Sequence, residues 1–196
     1  VVLGRLLVKE SAIDLRVKNL GSDWLDVRAV VESSREVTGE SAWCRIAPGG
    51  LNQVPLAILL QAASVQDREE TACVIFTVNV ITKGGEIANS VSVRLRCRKS
   101  TQSALMSFVD VDGSVATAAV LPPKHTSDHS LPILVSMSGV GAEPQGQVDA
   151  YKLKPPGKEA EDFVFGYDNM WILAPERSGP HNWEDVGMRT ALAAIE

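Results

Sequence analysis

The sequence predicts a chain in two parts, an antiparallel β-sandwich followed by the opening part of an α/β domain. Three observations support this prediction. Alternation of apolar and polar residues, typical of half-buried strands, continues to about residue 99. A hairpin pattern with an Asp112-Gly113 turn then begins. Two continuous apolar segments follow near residues 133 and 171, each succeeded by a loop and a helical pattern. We therefore expect one domain over 1–99 and a second over 100–196.

The first part contains strand-like segments separated by turns. Residues 13–17 and 25–31 alternate with period 2, so we expect them to pair as a hairpin. Residues 74–80 and 91–97 alternate in the same way on either side of a Lys-Gly-Gly-Glu turn. Pro55 lacks an N–H for a sheet ladder, so its strand is expected at an edge. Roughly six or seven short strands in about 100 residues are typical of an immunoglobulin-like sandwich.

Cysteines and tryptophans in the first part leave alternatives open. Cys44, Cys73 and Cys97 lack the C-x-x-C spacing of a metal site. They form either three free thiols or one disulfide and one free thiol. Trp24 and Trp43 are expected to pack in the core; only exposed, coplanar rings would favour a platform for carbohydrate.

Composition excludes several classes of partner. The chain has 196 residues and a net charge of −5, so it carries no overall basic character for binding nucleic acid. No apolar segment reaches the roughly 20 residues of a membrane helix, and we expect a soluble protein of unknown compartment. The chain starts without Met and ends within a helical pattern, which suggests a fragment whose true N-terminus is missing. No cofactor and no metal site are expected.

The second part should begin as a hairpin and continue as alternating strands and helices. Asp112-Gly113 is expected to be a tight turn rather than the start of a calcium loop, because the later acidic ligands are missing. His125 and His129 lie between prolines, so a loop is favoured over a metal-binding helix. Residues 133–137 form a strand expected to be buried on both faces, and residues 171–174 a second buried strand. Helices are expected near 143–152 and after Asn182.

The last helical pattern has its apolar residues on one side. These residues are Met188, Ala191, Leu192 and Ile195.

Residues 103–196 resemble a family in the order of their motifs. Phe108 to Val115, followed by Leu121-Pro122-Pro123, resembles the opening hairpin of prolyl-oligopeptidase-like α/β hydrolases of the S9 type, in which an immunoglobulin-like module precedes the hydrolase domain. Residues 134–141 resemble their strand and oxyanion loop, with Ser138 where histidine is usual. Residues 147–152 and 171–184 resemble the following helix, strand and loop. The resemblance implies an immunoglobulin-like sandwich followed by the N-terminal portion of an α/β-hydrolase fold, a β-hairpin and then β-α-β-α.

The resemblance also implies site residues. Backbone N–H groups of Gly139, Val140 and Gly141 would help to form an oxyanion hole. The rim of the substrate site would be formed by Ser138, Arg177, His181 and Trp183. No catalytic residue is expected in this chain, because the sequence has no G-x-S-x-G elbow and the nucleophile would follow Glu196. Ser136, Ser138 and Ser178 are near this region, but no base is fixed beside them by the sequence.

Two functions from different classes follow. The first is the N-terminal fragment of a serine hydrolase, a peptidase or esterase that acts by acyl transfer on a peptide or ester. It is inactive alone and is completed by the remainder of the hydrolase domain. The alternative is a non-catalytic binding or structural subunit that associates with another protein chain, because an incomplete sheet leaves apolar edges and faces to be covered.

Overall fold

The fold is known from a computed structural model. It describes residues 2–3, 6–7, 10–32, 34–60, 73–98, 102–123, 131–153, 164–165, 169–177, 179 and 182–195. The chain divides into two compact units: unit 1 contains 1–97 and 112–115, and unit 2 contains 98–111 and 116–196.

The strands before residue 99 are β1 (Val2–Leu3), β2 (Leu6–Leu7), β3 (Glu10–Lys18), β4 (Leu25–Val31), β5 (Val37–Glu40), β6 (Cys44–Ile46), β7 (Leu51–Leu60), β8 (Cys73–Thr82) and β9 (Ile87–Arg98). The later elements are β10 (Ala104–Val109), β11 (Val115–Leu121), β12 (Ile133–Val135), α1 (Pro144–Asp149), β13 (Lys152–Leu153), β14 (Val164–Phe165), β15 (Trp171–Pro175) and α2 (Val186–Ala193).

Unit 1 is built on one continuous sheet of nine strands. Its order is β2-β1-β9-β8-β4-β5-β7-β3, and β6 pairs with β4 beside this path. Inward residues of several strands form one core, because strand alternation places every second side chain on the same face. That core includes Val27, Val54, Leu56, Ile58 and Val78, each 0% exposed. The β-sandwich-like character predicted for this part is therefore confirmed, in the form of one curled sheet whose strands enclose a common core.

The hairpin formed by β8 and β9 confirms one prediction from the sequence. The two strands pair antiparallel from Cys73↔Arg96 to Ile81↔Ile87, with a bulge between Val80 and Ile81. Gly85 has φ +86° in the turn, a conformation that glycine adopts without a steric cost.

The predicted hairpin of residues 13–17 and 25–31 is wrong. β3 instead pairs with β7 along its whole length, from Glu10↔Leu59 to Lys18↔Leu51. The connection is held by Asn19, whose side-chain amide donates to Asp23 O (2.7 Å) and Ile46 O (3.2 Å). These bonds tie the connection to the end of β6 rather than closing a hairpin.

The predicted edge position of the Pro55 strand is also wrong, although the reason for the prediction holds locally. β7 lies between β5 and β3. β5 pairs only with Ala57 to Leu60 of β7, so Pro55 lies beyond the end of β5. On the side of β7 that faces β5, the missing N–H of Pro55 therefore leaves no ladder hydrogen bond unmade.

Unit 2 contains a four-stranded sheet of order β10-β11-β15-β12. β11 pairs antiparallel with β15, and β12 pairs parallel with β15 from Ile133↔Trp171 to Val135↔Leu173. The parallel pairing of the segments near 133 and 171 was predicted. Helix α1 contributes Val148 to a core with Ala119, Leu121, Ile172 and Ala174.

The predicted fold class is wrong for this part of the chain. A domain of the α/β-hydrolase type requires helical layers over both faces of a mostly parallel sheet. The described residues provide α1 with six residues and α2 with eight, and the sheet includes an antiparallel junction. The described chain is thus mostly β, with a curled sheet and a second, smaller sheet.

Two further expectations for unit 2 are corrected. β12 is an edge strand in the described sheet rather than a strand buried on both faces, and Ile133 is 45% exposed. Helix α2 begins at Val186, with Asp185 and not Asn182 at its N-cap. The hairpin turn at Asp112-Gly113 is confirmed, since Gly113 has φ +83° and Asp112 Oδ1 accepts a hydrogen bond from Ser114 N.

Candidate functional site

The loops that follow β12 and β15 leave the second sheet at the same end, the carboxyl end of both strands, because the two strands run parallel. Their ladder is short but well formed: Ser136 N donates to Leu173 O at 2.7 Å, and Trp171 N donates to Pro132 O at 2.9 Å. This arrangement brings the loop 138–142 and the segment after Pro175 to one end of the sheet.

The loop 138–142 forms a glycine turn with an accessible backbone. Ala142 N donates to Gly139 O at 3.3 Å, and Gly141 has φ +78°. A Cβ added at Gly139 would meet no atom within 4 Å, and Val140 is 81% exposed. The predicted oxyanion role of Gly139, Val140 and Gly141 stays a prediction.

Ser138 and Trp183 are joined by a hydrogen bond. Trp183 Nε1 donates to Ser138 O at 2.8 Å, and both residues are buried, at 9% and 3% exposed. The Ser138 hydroxyl is buried and has no hydrogen-bond partner among the described residues. Trp183 therefore anchors the base of the loop. Trp183 and Asp185 both have positive φ, at 58° and 46°, so the segment leading to α2 is backbone-strained.

The other predicted rim residues are less defined. Arg177 is half-buried, and its Nε is a buried atom without a hydrogen-bond partner in the described part of the chain. His181 and Ser178 lie outside the described residues, as do His125 and His129. The structure thus brings Ser138 and Trp183 together and leaves the remaining rim assignments as predictions.

Two serine hydroxyls in unit 2 have polar neighbours that the sequence analysis missed. Ser136 Oγ accepts from Gln147 Nε2 at 2.7 Å and lies 3.0 Å from Tyr151 Oη. Ser103 Oγ accepts from Lys152 Nζ at 3.3 Å, and the same ammonium is 2.7 Å from Asp149 Oδ1. An ammonium beside a carboxylate donates protons and does not remove one from serine. These contacts hold α1 and its neighbours in place and do not form a nucleophile–base pair.

An exposed surface in unit 1 was also missed, because Trp24 and Trp43 were expected in the core. They are 59% and 49% exposed. The Arg45 guanidinium lies 5.2 Å from the Trp24 ring centroid, and the Arg28 guanidinium lies 5.1 Å from that of Trp43. The alternation along β4 and β6 shows which face this is: Val27 and Ile46 point inward, so their neighbours point outward.

We define the tryptophan–arginine face as the outward residues Trp24, Asp26, Arg28, Glu40, Trp43 and Arg45. Its charged side chains pair with one another: Arg45 Nε is 3.8 Å from Asp26 Oδ1, and Arg28 Nη1 is 3.4 Å from Glu40 Oε2.

A second exposed surface lies on helix α2. Its buried residues are small or polar: Gly187, Thr190 and Ala191. The large apolar residues Met188 and Leu192 are 41% and 54% exposed, and Ile195, two residues after the end of the helix, is 42% exposed. We define these three residues as the α2 stripe. The sequence placed them on one helical face together with Ala191. In the structure Ala191 is buried, whereas the three larger residues are exposed.

Neither a metal-binding cluster nor a membrane-spanning helix is found in the described part of the chain. No cluster of three or more His, Cys, Asp or Glu side chains suited to a metal is found among the described residues. In the same residues, no helix has the length and apolar character to cross a membrane. Cys44 is a half-buried free thiol.

Comparison with known proteins gives no family. No family model matches the chain, and no curated protein matches it. Among solved structures, a chaperone from Pseudomonas aeruginosa, CupB2, is similar at 17% identity and a TM-score of 0.27, covering 57% of this chain and 76% of that chain. A TM-score at this level carries no assignment of function.

The predicted membership of the prolyl-oligopeptidase-like hydrolases is therefore corrected. The described residues are mostly strand, and their two helices have only six and eight residues. The motif order in residues 103–196 misled the prediction, because short apolar strands followed by glycine turns occur in many folds.

Proposed function

We propose that this chain is a non-catalytic protein-association module and that unit 2 binds a second copy of the chain. The observation that carries the proposal is the orientation of α2. Surface helices of monomeric proteins usually bury their large apolar residues and expose polar ones. α2 does the reverse, since Met188 and Leu192 are exposed whereas Gly187 and Ala191 are buried, and Ile195 just after the helix is exposed as well. Apolar residues at i, i+4 and i+7 are the anchors by which a helix enters a partner's groove.

The size of the stripe indicates that it is one part of a larger interface. Full burial of a large apolar side chain contributes about 1.5–3 kcal/mol, so three half-exposed side chains contribute on the order of 3 kcal/mol. Association costs at least about 4 kcal/mol in lost translational and rotational freedom. The stripe alone is therefore insufficient, and additional surface must contribute.

Unit 2 offers that additional surface at strand β12. Pro132 O and Ser136 N bond to β15, so the alternate residues Ile133 and Val135 direct their backbone groups to the opposite side. No described strand pairs with β12 on that side. Ile133 is 45% exposed and Met137 39%, which leaves an apolar edge strand of the kind that pairs with another chain.

The hydrolase function expected from the sequence is not proposed. Its family assignment is corrected above, and the donors to Ser136 and Ser103, an amide and an ammonium group, are not bases that accept a serine proton.

Light scattering tests the proposal, with the 196-residue chain as its own probe because a second copy carries the same surfaces. We expect the mass measured after size-exclusion chromatography to rise above 21.0 kDa as concentration increases. The double variant Met188→Lys, Leu192→Lys should stay monomeric, since buried ammonium groups oppose association. Arg189→Ala is the matched control on the same helix and should associate like the unmodified chain. A monomer at every concentration would contradict the proposal.

A further inference from the structure

Unit 1 carries a second surface whose composition differs from that of the α2 stripe. The tryptophan–arginine face combines two exposed indole rings with four charged side chains. This face is separate from the surface proposed for protein association, because none of its residues belongs to unit 2.

The rings are held in fixed positions on the sheet. Leu25↔Ile46 and Val27↔Cys44 pair across β4 and β6, so Asp26 lies opposite Arg45. Extending this register places Arg28 opposite Trp43, in agreement with their stacking at 5.1 Å. Trp24 and Trp43 are thus separated by about four residues along β4, or roughly 13 Å. Each ring has one side against a guanidinium, which restricts its motion and leaves a preorganised apolar surface.

The charges of the face cancel. Arg28 and Arg45 carry two positive charges, and Asp26 and Glu40 carry two negative charges, each within 4 Å of an opposite partner. A polyanion such as nucleic acid or sulfated glycan would meet the two carboxylates, and a basic peptide would meet the two guanidinium groups. A neutral ligand with many hydroxyl groups has neither conflict, because carboxylates accept hydrogen bonds and guanidinium groups donate them.

The face continues into a groove. Val30, Gly39, Glu40, Ala57 and Leu59 line a depression beside the Arg28–Glu40 pair. Gly39 contributes to its shape, since a Cβ there would lie 2.3 Å from Ala57 O and the position admits no side chain. The tryptophan–arginine face and the groove therefore share Glu40, and they form one extended surface across β4, β5 and β7.

We propose that the tryptophan–arginine face binds a neutral oligosaccharide. The C–H faces of two non-adjacent sugar rings of one chain stack on Trp24 and Trp43, and hydroxyl groups between them bond to Asp26, Arg45 and Glu40. The separation of the two rings requires a ligand of several sugar units, so monosaccharides bind much more weakly than longer chains.

Isothermal titration calorimetry of the full chain tests the proposal with cellohexaose, xylohexaose, mannohexaose, laminarihexaose and chitohexaose. We expect saturable binding of at least one of these neutral oligosaccharides and no tighter binding of a heparin oligosaccharide. Trp24→Ala and Trp43→Ala should each weaken that binding at least tenfold. Trp43→Phe, which keeps an aromatic ring, should restore most of it. Ile75→Ala, which removes a 62% exposed apolar side chain outside the face, is the control and should not change it.

Three outcomes would overturn the proposal. The first is that none of the five oligosaccharides binds. The second is that the double variant Trp24→Ala, Trp43→Ala binds as well as the unmodified chain while its melting temperature is also unchanged. The third is that the same double variant loses self-association in light scattering, which would identify the face as a protein interface instead.

Discussion

Asn19 illustrates how a single residue redirects the chain. Its side-chain amide donates to Asp23 O and Ile46 O, and its side-chain oxygen accepts from Gly21 N at 2.9 Å. Asn is favoured in turns because its side chain can replace backbone partners in this way. The local sequence therefore predicts a turn correctly. It does not predict that the turn sends β4 away from β3, because that depends on the carbonyl of Ile46, which is 27 residues away.

Asp112 gives a prediction at the residue scale. Hydrogen bonds from the Ser114 side chain and backbone N–H hold the pKa of Asp112 below its ordinary value of 3.8. The Ser114→Ala substitution should raise this pKa toward 3.8, although the backbone bond keeps part of the lowering. Carboxyl carbon chemical shifts during an acid titration would measure it.

The sign of the pH effect follows from the same bonds. A carboxyl whose pKa is lowered in the folded state contributes stability above its unfolded pKa, and that contribution disappears as pH falls through the folded pKa. The Ser114→Ala chain should accordingly lose less stability between neutral pH and pH values below the folded pKa. An Asp112 titration identical in both chains would contradict this account.

At the scale of elements, periodicity predicted where strands occur better than it predicted their partners. The β8–β9 hairpin was predicted because its turn is short and local. The β3–β7 pairing joins segments about 40 residues apart, and no local pattern encodes that choice. The same limit applies to α2, whose apolar residues were recognised although periodicity alone does not show which side faces the sheet.

The candidate surfaces were less predictable than the strands. Trp24 and Trp43 were assigned to the core from their apolar character alone. Arg28 lies four residues after Trp24, and Arg45 lies two residues after Trp43, so alternation places each arginine on the same face as the tryptophan just before its strand. The charged arginines were the signal that could have shown the exposure of both tryptophans. The Ser138–Trp183 contact joins residues 45 apart, so only the folded chain shows that Trp183 anchors the loop.

The pairing of β5 with β7 gives a prediction at the element scale. A Cβ at Gly39 would lie 2.3 Å from Ala57 O and 3.1 Å from Ile58 Cα, both backbone atoms of the partner strand. Gly39→Ala should therefore force the strands apart and lower the free energy of unfolding by about 3 kcal/mol, the upper range for overpacking. Urea unfolding would measure the loss.

Gly139→Ala is the matched control for this substitution. A Cβ at Gly139 meets nothing within 4 Å, and the residue has no positive φ. Its free energy of unfolding should change by no more than about 0.5 kcal/mol. Equal losses for the two variants would show that the close approach of β5 and β7 is not a determinant of the fold.

At the scale of the whole molecule, each unit has a buried core of its own and exposed apolar residues of its own. Among the described residues, the core of unit 1 contains thirteen buried residues drawn from several strands. The core around α1 in unit 2 has five: Ala119, Leu121, Val148, Ile172 and Ala174. Unit 2 also leaves the α2 stripe and the edge of β12 exposed. The α2 stripe and the β12 edge are the parts of unit 2 that the proposed association would cover.

Photo-crosslinking tests the central claim, association through the α2 stripe, most directly. We would place benzoylphenylalanine at position 192 and, as a control, at the exposed position 75 of unit 1. The account predicts that only position 192 gives a covalent dimer of the 21.0 kDa chain on irradiation, with the linked peptides in unit 2. No dimer from position 192, or equal yields from both positions, would contradict the account.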